Sequence, residues 1–323
     1  MFLHEAFFLG GISVGEKVSI LFFTKRFQNR IEKSTEYLIE ELKKQADVVV
    51  WEHDGDLNDI LTTIGIKPSF ILLNDFKRDY CPLISGLSKS PVPVGSIFHE
   101  VKYKPFRRKQ FYENENIKHL FVHYRDASLR FLPELKERYI WFPHHVPLSI
   151  FKDYGEKRTI NILMLGSMLK KVYPERVSFY EQLKGESGFS YHEHPSYQEL
   201  SGTSAGLSGE GYARQIARSK LFVTCDSIEK LPVMKYFESL ACRTLLLASG
   251  SDELKELGFI DGETFVEVNK ENVLEKANFY LSNHQERERI IGNGYRLIKD
   301  CHSTEKRVTN LLNQIRQIME DHH

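Results

Sequence analysis

The stretch Gly211–Ser249, GYARQIARSKLFVTCDSIEKLPVMKYFESLACRTLLLAS, decides how the chain is read. A helix runs up to Ser219 and Lys220 and gives way to a short apolar strand, Leu221 to Thr224. A polar loop follows from Cys225 to Lys230, and the next helix carries Lys235 and Glu238. Residues three apart on a helix share a face. This helix closes in the small-residue turn Ala241-Cys242-Arg243, before a strand from Thr244 to Ala248. Open α/β sheets bind ligands at the carboxyl ends of their strands, which is where the polar loop sits. The helix start beyond it offers unpaired amides to an anion. A cation and a carboxylate on one turn suit a ligand bearing phosphate and ribose hydroxyls, as a sugar nucleotide does.

Working outward, the first half alternates strand and helix. Strands are expected at Lys17–Thr24, Val48–Glu52, Phe70–Asn74, Pro93–His99, His119–His123 and Tyr139–Phe142, with helices at Glu36–Lys44 and Leu57–Ile64. Such alternation predicts a parallel, doubly wound sheet. The segment from Pro143-His144-His145-Val146-Pro147 to Arg158 is turn-rich and reads as an interdomain linker. The pattern then restarts with a strand at Thr159–Leu165 and a helix at Pro174–Lys184. Later strands are expected at Leu221–Thr224, Thr244–Ala248 and Phe265–Val268. Helices with apolar stripes are expected at Asn272–Leu281, Gln285–Lys299 and Glu305–Met319. The expected division is a first domain over 1–152, a second over 153–304 and a terminal helix over 305–323.

Composition bounds the function. A chain of 323 residues, 41% hydrophobic, supports two domains with real cores. Its 44 basic and 44 acidic residues balance, which removes the general argument for nucleic-acid binding. Cys81, Cys225, Cys242 and Cys301 form no CxxC pair and read as free thiols of a reducing compartment. The apolar run Ala6–Gly11 lacks a basic leader, so no signal peptide is expected. No stretch approaches the ~20 apolar residues of a membrane span. The expectation is a soluble cytoplasmic protein without stable membrane insertion.

Several constellations carry chemistry. Gly166-Ser167 ends a strand and is followed by Lys170, Lys171, Tyr173 and Arg176. A glycine there lets backbone approach a phosphate, and the cations meet its charge; the bland reading is an ordinary turn with solvated lysines. Lys235 would neutralise phosphate and Glu238 would hold ribose hydroxyls, against the alternative of an exposed ion pair. Tyr212, Ser227 and Tyr236 join the donor-side candidates. His99, with Glu100 beside it, ends the fourth strand and reads as a catalytic candidate, a base or a ligand to a sugar hydroxyl. His144-His145 would line the cleft from the hinge, whereas His192 and His194 lack metal-ligand spacing. Asp54-Gly55-Asp56 has an Asp-x-Asp look, but Asp56 reads better as the N-cap of the following helix. Lys102, Lys104, Arg107, Arg108 and Lys109, with Tyr103 and Phe106 among them, form a basic patch for an anionic partner or membrane; a solvated face is the plainer reading. Gly10, Gly11 and Gly15 fit no dinucleotide fingerprint, and neither GxSxG nor a P-loop occurs.

These blocks together resemble the C-terminal domain of GT-B glycosyltransferases of the CgeB-like type. The resemblance runs from about Ile160 to Leu312, through LGSMLKKVYPER, YARQIARSK, VMKYFESLACRTLLLAS, ELGFIDGETFVEVNKENVLEKANFYLSN and ERERIIGNGYRLIKDCHSTEKRV. The first half is similar only through KVSILFF, KPSFILLND and SIFHE. The resemblance implies two Rossmann-like domains with parallel sheets facing across a cleft, and a nucleotide-sugar donor held by the second. It implies Gly166 and Lys170 or Lys171 near the diphosphate, Glu238 at the ribose, Lys235 where arginine is common and His99 in the cleft. The last helix is expected to cross back to the first domain. This sequence departs from the family at Ser167, where arginine is usual, and at Arg243, where glycine is usual. The partner of the family's glutamate pair falls on Lys230, with Glu229 one place off.

The expected function is metal-independent transfer of a sugar, from a UDP-sugar by preference, to a hydroxyl of a glycan, lipid, protein or modified nucleobase, with no cofactor. A non-catalytic nucleotide-sugar binder, an Asp-x-Asp metal enzyme and a DNA-modifying glycosyltransferase are the alternatives.

Overall fold

The computed structural model describes residues 17–26, 33–193 and 208–322. The apolar run Ala6–Gly11, Gly15 and His194 lie outside the described residues. The first lobe runs β1 (Ser19–Phe23), α1 (Ser34–Gln45), β2 (Asp47–Trp51), β3 (Gly55–Asp56), α2 (Leu57–Ile64), β4 (Phe70–Leu73), β5 (Ile84–Ser85), β6 (Val94–Phe98), α3 (Pro105–Asn114), β7 (His119–Val122), α4 (Arg125–Phe131) and β8 (Tyr139–Trp141). The second runs β9 (Ile160–Leu165), α5 (Pro174–Leu183), β10 (Phe189–His192), α6 (Gly209–Ala217), β11 (Ser219–Thr224), α7 (Met234–Ala241), β12 (Leu245–Ala248), α8 (Asp252–Glu256), β13 (Val266–Glu267), α9 (Val273–Ser282) and α10 (His284–Leu297). A π-helical turn, Ile298–His302, leads into α11 (Thr304–Glu320).

The first sheet has the order β2-β1-β4-β6-β7-β8 and the second β10-β9-β11-β12-β13, with β3 and β5 forming a small separate ladder. Every pairing in the two large sheets is parallel. In each sheet the chain starts one strand in from an edge, adds that edge strand, then returns to build the other side. That leaves a topological switch point between β1 and β4, and another between β9 and β11. Ligands of such sheets bind outside the carboxyl ends of the strands at these points.

Burial explains why the sequence makes central strands here. Phe70, Ile71, Leu72 and Leu73 in β4 are all buried, as are Leu221, Phe222 and Val223 in β11. A strand covered on both faces reads as a continuous apolar run. One face of the first sheet, with Ile20, Phe22, Leu72, Ile97 and Phe121, packs against Leu38 and Leu42 of α1. Val308, Leu311, Leu312 and Ile315 of α11 complete that same core. The final helix of the chain therefore covers the first sheet, and it supplies the apolar stripe that α1 alone is too short to provide.

Three readings are revised. Ser219 and Lys220 belong to β11, so the preceding helix ends at Ala217. The Pro143–Pro147 stretch, read as opening a turn-rich linker, is buried at His144, His145 and Val146 rather than solvated. The amide of Val146 donates to the His302 carbonyl at 3.1 Å, and the Thr304 amide donates to the Val146 carbonyl at 3.0 Å. The two chain crossings between lobes thus run side by side, and His145 Nδ1 lies 3.0 Å from Thr304 Oγ1. Finally, Arg108 lies on α3 with its side chain buried rather than in a surface patch.

Candidate functional site

A cleft of about 880 Å³ separates the carboxyl ends of the two sheets. That is the size of an ordinary small-molecule site. Residues of both lobes line it, including Tyr80, His99, Glu100, His123, Tyr124 and His144 from the first, and Gly166, Tyr173, Arg176, Tyr212, Lys235 and Glu238 from the second.

On the second lobe the chain leaves β9 at the switch point through Gly166, at φ +134°. This backbone region is closed to side-chain-bearing residues at low cost. The space is closed as well: a Cβ there would lie 2.9 Å from Arg176 Nη1 and 3.4 Å from Lys235 Cε. Two cations therefore flank one bare backbone position. Arg176 is buried and fixed, donating to the Ser167 carbonyl at 3.0 Å and the Cys225 carbonyl at 3.3 Å, with its guanidinium 3.9 Å from the Tyr173 ring centroid. Lys235 has no ion-pair partner among the described residues. Burial, and then the Arg176 charge, lower its ammonium to about 8. Lys235 stands in the first turn of α7, whose N-cap Val233 supplies no capping side chain. The orphan amides of such a turn attract anions. One turn on, Glu238 is buried and accepts from the Tyr212 hydroxyl at 3.0 Å. Burial and this carboxylate push the Tyr212 phenol well above its usual range.

The first-lobe wall is organised by a buried carboxylate that the sequence reading passed over. Asp75 follows β4, is fully buried, and holds φ +83°. It accepts from the amides of Phe76 at 2.5 Å, Lys77 at 3.1 Å, His99 at 2.8 Å and Glu100 at 3.4 Å. Arg108 Nη1 reaches it at 2.5 Å, while Nη2 donates to the Glu100 carbonyl at 2.9 Å. One ion pair thus ties the loops after β4 and β6 to α3, and it fixes where His99 and Glu100 enter the cleft.

His99 lines the cleft, but both its ring nitrogens are engaged. Nε2 lies 2.7 Å from Asn74 Oδ1, and Nδ1 lies 3.2 Å from His123 Nε2. Tyr80 stacks on the ring at 4.6 Å. Burial, and then His123, hold its imidazole well below the usual range. His99 is therefore a fixed wall of the cleft and presents no free nitrogen for a base. His123, stacked 4.5 Å from His144, extends this wall across the ends of successive strands. Glu100 lines the cleft with its carboxylate partly exposed, held by Lys77 Nζ at 2.8 Å.

Of the sequence candidates, Gly166, Tyr173, Arg176, Tyr212, Lys235, Glu238, His99 and Glu100 converge on the cleft. Others do not. Lys170 and Lys171 are exposed and outside it. Ser167 enters through its carbonyl, which holds Arg176. Ser227 is buried and accepts from the Glu229 amide at 3.2 Å, which shapes the loop. Tyr236 is a core residue, its hydroxyl donating to the Ser249 carbonyl at 2.8 Å. Asp54 accepts from the Leu83 amide at 2.8 Å, and Asp56 caps α2 through the Asn58 amide at 3.0 Å. Among the described residues, no group of three or more His, Cys, Asp or Glu is placed to hold a metal ion. Sequence reading missed Asp75, His123 and Tyr124. The signal for His123 was present: it ends its strand as His99 does.

Comparison with known proteins adds to this geometry. Residues 169–313 match the family model described as "Glycosyl transferase-like". No curated protein matches the chain. A glycosyltransferase from Rickettsia africae ESF-5 superposes with a TM-score of 0.64 at 12% identity, over 94% of this chain and 99% of that one. Anabaena Alr3699/HepE in complex with UDP and glucose superposes with a TM-score of 0.61 at 10% identity, over 93% of this chain and all (100%) of that one. The fold is GT-B, two Rossmann-like lobes whose parallel sheets face one another across the cleft.

Two stability predictions follow from the site. Arg108→Met leaves Asp75 buried without its cation, and urea unfolding should show a loss of about 3–5 kcal/mol. Adding Asp75→Asn, which tolerates positive φ, should restore part of it; a single-variant loss below about 1 kcal/mol would contradict the pairing argument. Gly166→Ala should cost about 1–3 kcal/mol by strain, and a crystal structure of the variant should show the Arg176 guanidinium displaced.

Proposed function

We propose that this protein is a glycosyltransferase of the CgeB-like type, moving a sugar from a nucleotide-sugar donor, UDP-linked by preference, to a hydroxyl acceptor. The observation carrying this reading is Lys235: a cation with no ion-pair partner among the described residues, set beside Arg176 against bare backbone at Gly166, in the uncapped first turn of α7. A diphosphate supplies the missing negative charge. Glu238 and Tyr212, one turn further on, suit the hydroxyls of a ribose. The match of residues 169–313 to a glycosyl transferase-like family supports the reading, as does the UDP bound to the HepE neighbour.

In the reaction the acceptor oxygen bonds to the anomeric carbon as the bond from that carbon to the β-phosphate oxygen breaks. The electron pair leaves with the nucleoside diphosphate. Lys235, Arg176 and the α7 amides stabilise that developing charge in a site screened from water, so no divalent ion is invoked. The acceptor enters along the first-lobe wall, where Glu100 takes its proton. His99 positions rather than reacts, because both of its nitrogens are occupied. With four free cysteines, three of them buried, the protein suits a reducing compartment, and we place it in the cytoplasm.

Calorimetric titration tests the donor site. UDP should bind clearly more tightly than UMP, and uridine should bind weakly. Lys235 sets the pH dependence. Its pKa of about 8 means it is cationic at neutral pH and loses charge as pH rises through that value. UDP affinity should therefore weaken as pH rises through about 8. Lys235→Arg stays charged and should abolish that decline; the same decline in the variant would remove Lys235 from the site. On the acceptor side, Glu100→Gln should lower kcat by about 10²–10⁴-fold, the usual worth of a positioned base, with UDP affinity unchanged. An unchanged kcat would exclude Glu100 as the base.

A further inference from the structure

The basic patch near α3 is not absorbed by the donor site, and the structure changes its membership. Arg108 is buried against Asp75, Lys102 pairs with Glu229, and Lys109 faces Glu113 at 3.7 Å. Lys104 and Arg107 remain exposed, with Phe106 between them 71% exposed. Across the cleft, Lys170 and Lys171 are exposed beside Leu169, itself 61% exposed, and Ile228 is 55% exposed. Two hydrogen bonds place these loops in a row. Lys102 Nζ donates to Glu229 Oε1, joining the α3 approach to the Ile228 loop. The Ile228 amide donates to the Val172 carbonyl at 3.0 Å, joining that loop to Leu169–Lys171. Lys102, Tyr103, Glu229 and Tyr173 from the same loops line the cleft. Protruding apolar side chains and basic residues from both lobes therefore share one rim of its mouth.

Charge on this rim is one-sided. Lys104, Arg107, Lys170 and Lys171 meet no carboxylate within ion-pair distance among the described residues. Glu229 is engaged by Lys102 and Arg130, and Glu100 by Lys77. Glu175, in the first turn of α5, is a remaining acid close by. The chain as a whole is neutral, with 44 charges of each sign, so this imbalance is local. We infer that this rim docks on an anionic lipid membrane, with Phe106, Leu169 and Ile228 entering the headgroup layer and the four cations meeting acidic headgroups. Apolar anchors plus basic residues give reversible peripheral binding. No helix among the described residues is long and apolar enough to cross a membrane, so a surface contact is the mode available to them. A nucleic acid would meet the cations equally well but gains nothing from exposed leucine and isoleucine, which cannot stack on bases as aromatic rings do. The inference does not depend on the donor reading, since vesicle binding is measured without any nucleotide sugar.

Flotation of the full-length protein with vesicles of phosphatidylcholine alone, or of equal parts phosphatidylcholine and phosphatidylglycerol, tests it. The protein should float with the anionic vesicles and not with the neutral ones. Each basic residue neutralised (Lys104→Gln, Arg107→Gln, Lys170→Gln, Lys171→Gln) should lower partitioning about five-fold. Phe106→Ser with Leu169→Ser should lower it by at least about ten-fold. Neutralising Lys67 and Lys118, exposed before β4 and β7 at the opposite end of the first sheet, should change nothing. All these side chains are exposed, and unchanged melting temperatures would show the variants folded. No flotation, equal binding to neutral vesicles, indifference to the Phe106 and Leu169 changes, or displacement from vesicles by duplex DNA at equal charge would each overturn the inference.

Discussion

The ion pair between Asp75 and Arg108 sets the geometry on which the first lobe's share of the cleft depends. Both groups are removed from water, and two bare charges there would be costly. What makes the pair tenable is the number of donors that converge on Asp75, four backbone amides besides the guanidinium. The arrangement requires a left-handed backbone at Asp75, which a non-glycine residue adopts only under constraint. In return, the loops after β4 and β6 have one relative position. His99 and Glu100 inherit that position directly, because their amides are among the donors.

The second lobe solves the complementary problem with positive charge. Its strand order leaves a crevice beside β9, and Gly166 lets backbone form the crevice floor. Arg176 is spent on two carbonyls, so its charge is fixed in place. Lys235 is the adjustable partner, poorly solvated and lowered toward neutrality by its neighbour. The lobes are then joined at two levels. Side by side, the segments through Val146 and Ser303 carry the chain across, and α11 lies on the first sheet. At the rim, Arg125 pairs with Glu256, while Glu253 accepts from the Arg125 amide at 2.6 Å. Burial first, with the Asp126 charge adding, lifts the Glu253 carboxyl to about 7.

The sequence revealed the strands well, because buried parallel strands are continuous apolar runs with little else to resemble. It revealed the two-cation crevice in part: Gly166 stood at a strand end, Arg176 in the first turn of the helix that follows, and Lys235 and Glu238 on one face of α7. Helix α3 was hidden, since its buried face is Arg108 and Tyr112 rather than an aliphatic stripe. For the same reason Arg108 read as one more surface cation. Asp75 was invisible because an Asn-Asp pair after a strand looks like any turn, and only the fold shows five donors meeting one carboxylate. Tyr236 and Ser227 were misplaced by proximity, for neighbours on a helix or loop point in different directions. The occupied nitrogens of His99 depend on Asn74 and His123, which come from two other strands, and no local pattern carries that.

The central claim is that the crevice at Gly166 holds a diphosphate. A crystal structure with UDP or a UDP-sugar bound tests it most directly. The account predicts the diphosphate against Gly166, within hydrogen-bonding reach of Lys235 and the start of α7, with the ribose at Glu238. A nucleotide bound elsewhere, or oriented with its base at Lys235, would contradict it.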